Sequence, residues 1–256
     1  MMNITAETAS PAARPIDPLP STLVVEPLVD LGSTGAGLDA DDGRDSLCQR
    51  AYSQIRKSLI SSAIRPGHKL ILRPLAAELH LSPTPVREAL LRLVSEQALV
   101  LDERGSAVVP IMNQTGFREL SEMRGDLEAR AAERAVEFAT VQQIDELERI
   151  NAHCLDLHRA NRHAEMLEAN AVFHRSVCKA AAAPLILRML EGLWMRLGPV
   201  YALSFDRPLP GLGPDGHPHL RLIEALRQRD VVMAREAAFN DVRCSNEILQ
   251  PTLMNA

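Results

Sequence analysis

Arg87 is the side chain whose type and placement most directly suggest chemistry. It stands in Ser82-Pro83-Thr84-Pro85-Val86-Arg87-Glu88-Ala89-Leu90-Leu91-Arg92-Leu93, a stretch that predicts a short helix. Thr84 precedes a proline, which pushes its backbone out of the helical region and suits an N-cap. Pro85 then falls at the first helical position, where a missing N–H costs nothing. Glu88 lies in the first turn and complements the positive helix end. Val86, Ala89, Leu90, Leu93 and Val94 recur as a single apolar stripe, which leaves Arg87 on the outer side. A guanidinium beside a helix N-terminus with free N–H groups suits phosphates and base edges, and the major groove of DNA admits a helix of this size. Taken alone, Arg87 also reads as an exposed helical residue paired with a carboxylate.

The flanking elements sharpen the first reading. Arg73-Pro74-Leu75-Ala76-Ala77-Glu78-Leu79-His80-Leu81 is long enough for a second short helix, and only the Ser82–Pro83 turn separates the two, the layout of a helix-turn-helix. Ala98–Leu101 and Ala107–Pro110 are apolar runs bracketing Asp102-Glu103-Arg104-Gly105-Ser106, which predicts a β-hairpin, or wing. Tyr52–Ile60 reads as a further helix, ended by Arg65-Pro66-Gly67. With Ile64–Gly67, Leu75–Ala76, Ser82–Leu93 and Arg104–Gly105 in register, the span from Tyr52 to Pro110 resembles the GntR family of bacterial transcription regulators. The resemblance implies that Arg73 and Arg87 reach DNA, that the Ser82 and Thr84 hydroxyls lie near phosphates, and that Arg104 and Gly105 form a wing tip touching the minor groove. Two positions depart from the family. Pro83 stands where an arginine is usual, which removes one expected groove contact, and Gln97 replaces a glycine common before the wing.

Fold class and domain organisation follow from the whole chain. Its 256 residues fit about two domains, and 46% apolar content supports real cores. No apolar run approaches the ~20 residues needed to span a bilayer. No basic segment leads into an apolar core at the N-terminus, so secretion is not indicated and a cytoplasmic location is expected. Cys48, Cys154, Cys178 and Cys244 are scattered without a C-x-x-C pair, which predicts reduced and mostly buried thiols. Residues 1–45 are rich in Pro, Ala, Thr, Gly and Asp and read as a disordered tail. They carry two arginines against two glutamates and six aspartates, whereas residues 46–112 carry nine Lys/Arg against five Asp/Glu. The formal net charge of −5 therefore hides a basic segment beside an acidic one, a balance that permits phosphate binding.

Residues 113–256 are helical in period, with Leu120, Met123, Leu127, Ala131 and Ala135 as one stripe. Further amphipathic stretches follow near 141–160, 163–180, 184–204, 217–229 and 231–249. Pro199, Pro208, Pro210, Pro214 and Pro218 mark the longest break. The predicted fold is mainly α: a winged helix-turn-helix over 46–112 and an all-helical bundle over 113–256. Arg124-Gly125-Asp126-Leu127-Glu128, Phe173-His174, His219 and Asp230 resemble, by spacing, the FCD effector domain of the FadR branch of the GntR family. That resemblance implies a small-molecule sensor built around a metal, with Asn170, His174, His219 and Asp241 at the ligand positions. Asn170 stands where the family usually has Asp, and Asp241 where it has His. Asn170 and His174, at i and i+4, share one helical face. Imidazole and oxygen ligands suit zinc, nickel, iron or manganese. The other reading of the two histidines is a metal-free polar pocket. Arg124 can hold an anionic effector through its guanidinium, or form a structural ion pair with Glu128 at i, i+4. His153, His158 and His163 read as surface residues, and Trp194 with Tyr201 as core packing or pocket lining.

The function expected is a homodimeric regulator that binds a near-palindromic double-stranded operator under control of a carboxylate effector. One alternative is a dimeric DNA-binding protein whose helical half senses nothing. Enzyme activity is not expected, because Gly-rich phosphate loops, Ser nucleophile elbows and the Glu-x-x-His pairs of di-iron bundles are all absent from the sequence.

Overall fold

The computed structural model describes residues 42–204 and 217–253. The expected tail therefore lies outside the described residues as far as residue 41, as do Pro208, Pro210 and Pro214. Within the described residues the chain runs α1 (Asp42–Ile60), β1 (Lys69–Leu70), α2 (Leu72–Glu78), α3 (Pro83–Ser95), β2 (Val100–Leu101) and β3 (Ala107–Val108). Six longer helices follow: α4 (Gln114–Phe138), α5 (Val141–Arg159), α6 (His163–Ala180), α7 (Pro184–Tyr201), α8 (Pro218–Gln228) and α9 (Val231–Leu253). A 3-10 turn, Ala202–Ser204, follows α7. The mainly helical class and the winged helix-turn-helix are as expected.

The helix bearing Arg87 begins two residues earlier than its sequence suggested. Ser82 is the N-cap and Pro83 the first helical residue, so both prolines fall in the first turn and Glu88 does not. Neither proline costs a helical hydrogen bond there, since those N–H groups have no intrahelical acceptor. Val86, Ala89, Leu90 and Leu93 form its buried face. Tyr52, Ile55 and Leu59 of α1 join them in the same core.

The wing is a tight hairpin. Asp102 accepts from the backbone N–H of Arg104 and Ser106 through Oδ1, and Gly105 takes φ 75°, a left-handed position that glycine occupies without a Cβ penalty. A third strand, β1, was not foreseen. It pairs antiparallel with β3, giving the order β1-β3-β2, and Lys69 on it reaches Asp102 at 2.9 Å. Two residues are too few for an alternating pattern to show in sequence.

The helical half is organised on α4, which packs against α6, α7, α8 and α9. Thr140 and Gln143 form a reciprocal capping box at the start of α5, satisfying two otherwise orphaned donors. Pro199, expected at a break, is instead buried inside α7 near its end. The helix runs only two residues further, so one lost backbone bond is tolerated. Met195 of α7 joins the core of the first domain and Ile60 of α1 touches both cores, so α1 and α7 meet at the seam. No helix among the described residues is long and apolar enough to cross a membrane.

Candidate functional site

The inward face of α4 differs from the predicted stripe. Met123 is 48% exposed, whereas Arg124 and Glu128 are both 4% exposed. Charged groups can occupy that depth only when paired and hydrogen-bonded, and these are. Arg124 Nε donates to Glu128 Oε1 at 2.7 Å, and its Nη1 donates to the Tyr201 hydroxyl at 2.7 Å. Trp194 Nε1 donates to the same Glu128 oxygen at 2.9 Å.

Glu128 then meets the histidines. His174 Nδ1 lies 3.1 Å from Glu128 Oε2, and its Nε2 lies 3.2 Å from Asp241 Oδ2. His219 Nε2 is 3.9 Å from that same aspartate oxygen, while its Nδ1 sits 3.1 Å from Asn151 Oδ1. Phe173 stacks on the His219 ring with centroids 3.6 Å apart. Each imidazole thus has one nitrogen turned to an oxygen acceptor and the other turned to a common point, the arrangement by which an outer partner fixes the tautomer of a metal-binding histidine.

The electrostatics follow from burial and proximity. Burial alone would push His174 down, but the Glu128 charge and the Asp241 carboxylate hold it up to about 9. Burial would raise Glu128, yet Arg124 and His174 bring it to about 2. Asp241 is driven below the ordinary carboxylate range by His219 and His174 against its own burial. His219 is pushed well below its usual value, chiefly by burial.

Do these residues fit a metal? Donor atoms of His174, His219 and Asp241 all lie within 4.8 Å of one another, and all three residues are buried. Glu128 Oε2, His174 Nε2, His219 Nε2 and Asp241 Oδ2 are buried and lack an aligned hydrogen bond. Orphaned polar atoms are rare in folded interiors and call for a ligand or ion. The cavity beside them, lined by Glu128, His174, His219 and Asp241, offers about 10 Å³ to a water centre, room for about one water-sized species. Two imidazole nitrogens and a carboxylate oxygen are suitable donors for a divalent transition metal. The donor set fits.

Of the four expected metal positions, the structure brings three together. Asn170 is half-buried on α6 and does not line the small cavity. It lines a larger one, of about 50 Å³ by the same measure, together with Arg124, His174, Trp194 and Tyr201. Arg124 forms the expected ion pair with Glu128 and also lines this cavity. Trp194 and Tyr201 are wall residues too. Glu128 and Asn151, which orient the histidines, were not singled out from sequence. The spacing of Glu128 from Arg124 was visible, but nothing marks Asn151. The thiols form no disulfide among the described residues, with Cys154 and Cys178 buried, Cys48 half-buried and Cys244 exposed.

The other candidate surface is on the winged domain. Arg73, Ser82, Thr84, Arg87, Arg104 and Gly105 are all exposed. None of the three arginines forms an ion pair among the described residues, so the carboxylate-paired reading of Arg87 is not what the structure shows. Gln97 adopts φ 58°, keeping the left-handed conformation that a glycine would have supplied. Pro83 is exposed at the head of α3, where an arginine would have added charge.

Comparison with known proteins matches residues 47–109 to the model for bacterial regulatory proteins of the gntR family, and residues 119–243 to the FCD domain. The chain is 32% identical over 154 residues to the HTH-type transcriptional regulator McbR of Escherichia coli K12, covering 60% of this chain and 70% of that protein. It is 25% identical over 185 residues to the HTH-type transcriptional repressor RspR of the same organism, covering 71% and 79%. The solved structure of E. coli McbR/YncC superposes with a TM-score of 0.77 at 28% identity, covering 80% of this chain and 98% of that one.

Proposed function

Since this chain belongs to the GntR family, as a DNA-binding transcription regulator with an FCD domain and not an enzyme, we propose that a small carboxylate effector, bound beside a divalent metal, controls its hold on an operator. The observation that carries this reading is the set of buried donor atoms on His174, His219 and Asp241 that converge without an aligned hydrogen bond, next to a cavity walled by Arg124. His174, His219 and Asp241 would hold the cation, and Asn170 offers a fourth oxygen from the adjoining wall. The cation, when bound, supplies Lewis acidity toward a carboxylate oxygen. The protein's own groups do the rest. Glu128 and Asn151 hold the two imidazoles in one tautomer, Arg124 presents a positive charge to the effector, and Trp194 and Tyr201 exclude water around it.

On the DNA side, Arg87 on α3 would enter the major groove and Arg73, at the start of α2, would reach the DNA beside it. Ser82 and Thr84 would bind phosphates beside the α3 N-terminus, and Arg104 with Gly105 would reach the minor groove from the wing. The work is done in the cytoplasm by a homodimer on a near-palindromic double-stranded site. An effector shifts operator binding only as far as its affinity differs between the two arrangements of the protein. Elemental analysis of protein purified without chelator tests the sensor reading. We expect about one zinc, nickel, iron or manganese per chain, and none in His174→Ala. Metal-free wild type under every metal supplied during growth would overturn the metal and leave a metal-free polar pocket, and a melting temperature unmoved by any organic acid would leave a helical half that only dimerises.

A further inference from the structure

The end of α1 closes a Schellman arrangement. Ala63 N–H donates to Ser58 O at 3.0 Å and Ser62 N–H to Leu59 O at 3.2 Å, with Ser62 in the left-handed position at φ 60°. A non-glycine residue there singles out nothing by itself, because His80, Gln97, Asn161, Ala182 and Arg229 also have positive φ. Ser62 is set apart by its surroundings. It is 2% exposed, and with Ile60 it closes the cavity whose other walls include Arg124, Asn170, His174 and Tyr201. Its hydroxyl has no hydrogen-bond partner among the described residues. A residue of the DNA-reading domain therefore faces the same space as the guanidinium of the helical half.

That guanidinium has a donor to spare. Nε and Nη1 of Arg124 are engaged by Glu128 and Tyr201, and Nη2 has no partner among the described residues. The turn carrying Ser62 is also mechanically tied. Gly198 of α7 packs so closely that a Cβ would lie 2.1 Å from Leu59 O, and Glu191 of α7 pairs with both Arg56 of α1 and Arg175 of α6. Since α3 packs on α1, a ligand touching this turn touches the element that holds the recognition helix. The cavity offers about 50 Å³ to a water centre, against about 10 Å³ for the smaller one beside the histidines.

We propose that the effector is a small hydroxy- or keto-carboxylate held by both domains at once, its carboxylate on Arg124 and its second polar group on the Ser62 hydroxyl. The inference rests on the carboxylate-sensing reading above. Occupancy is then felt directly at α1, with no need of a relay through the bundle.

The test uses the zinc-loaded full-length chain, with lactate and malate as probes, propionate and succinate as their deoxy counterparts, and lactamide as the uncharged control. The chain has a single tryptophan, Trp194 on the cavity wall, so its fluorescence reports binding. Ser62→Gly removes the hydroxyl while suiting the positive φ, so it folds. The hydroxy-acids are expected to bind saturably and lactamide not to bind. Ser62→Gly should weaken the hydroxy-acids about threefold to tenfold, the worth of one hydrogen bond, and leave the deoxy acids unchanged. Hydrogen exchange should show the peptide around residues 58–64 protected by malate in the wild type. Equal hydroxy-acid affinity in wild type and Ser62→Gly, with protection confined to α4, α6 and α7, overturns the two-domain grip while leaving carboxylate sensing in place. Wild type that binds no carboxylate overturns both.

Discussion

At the scale of single residues, the site is a chain of mutual obligations running Tyr201–Arg124–Glu128–His174–Asp241–His219–Asn151. His174 was legible in the sequence through the spacing that resembles the FCD domain, and Arg124 because of its partner four residues on. Glu128 was legible only as that partner. The predicted α4 stripe assumed that apolar side chains go inward, and it brought Met123 in. Leu120, Ala131 and Ala135 are buried as expected, but the buried face also takes in Arg124 and Glu128, because Trp194, Tyr201 and His174 arrive from other helices to satisfy them, and no local pattern announces such arrivals. The pairing has a pH consequence for metal-free protein. His174 is held up to about 9 in the fold, so its contribution is full below the unfolded value near 6.5 and is lost as pH rises through about 9. Glu128 and Asp241 are lowered from 4.5 and 3.8, so their contributions are present above those values and are lost as pH falls toward the folded ones. His219 is lowered from 6.5, so its contribution is present above that value and is lost as pH falls below it. Thermal unfolding in chelator should therefore be most resistant near about pH 6.5 and weaken toward pH 9.5. A melting temperature for wild type that rises over that alkaline span would contradict the His174 ion pairs.

At the scale of elements, α7 carries the most. One end of its inward face meets the sensor residues through Trp194 and Tyr201, while Met195 fills the core of the DNA-reading domain and Gly198 lets the α1 carbonyls approach. The length and amphipathicity of α7 were plain from the sequence. Its seam role was not, because a glycine followed by a proline reads as a helix end when the approaching backbone is unseen. Likewise the two prolines of α3 left its start ambiguous by two residues, since either satisfies the same rule. Gly198→Ala places a methyl group against Leu59 O, which cannot rotate away as a side chain would. We expect a loss of about 1–3 kcal/mol, the usual cost of overpacking, measured by urea unfolding. Gly192→Ala, also on α7 but with nothing within 4 Å of a Cβ, should stabilise slightly through better helix propensity. If both variants unfold alike, the close seam is wrong.

At the scale of the whole molecule, charge and symmetry decide what binding looks like. An acidic chain whose positive balance lies in residues 46–112, nine Lys/Arg against five Asp/Glu, can approach DNA through that domain, so affinity should fall steeply with salt. If the protein is a two-fold dimer on a near-palindrome, every recognition residue acts twice. Arg87→Ala should cost about 1–3 kcal/mol per half-site if Arg87 makes a bidentate base contact, and therefore roughly 2–6 kcal/mol on an operator with both half-sites intact. Mutating the bases of one half-site in the DNA should recover part of the difference between wild type and variant, because the wild type then loses the same contact on one side. Titration of a selected genomic fragment at fixed salt, with mass measured in solution, reads both quantities together. A loss no larger on the full operator than on a half-site, with a mass equal to one chain, would show that a single recognition helix engages DNA at a time.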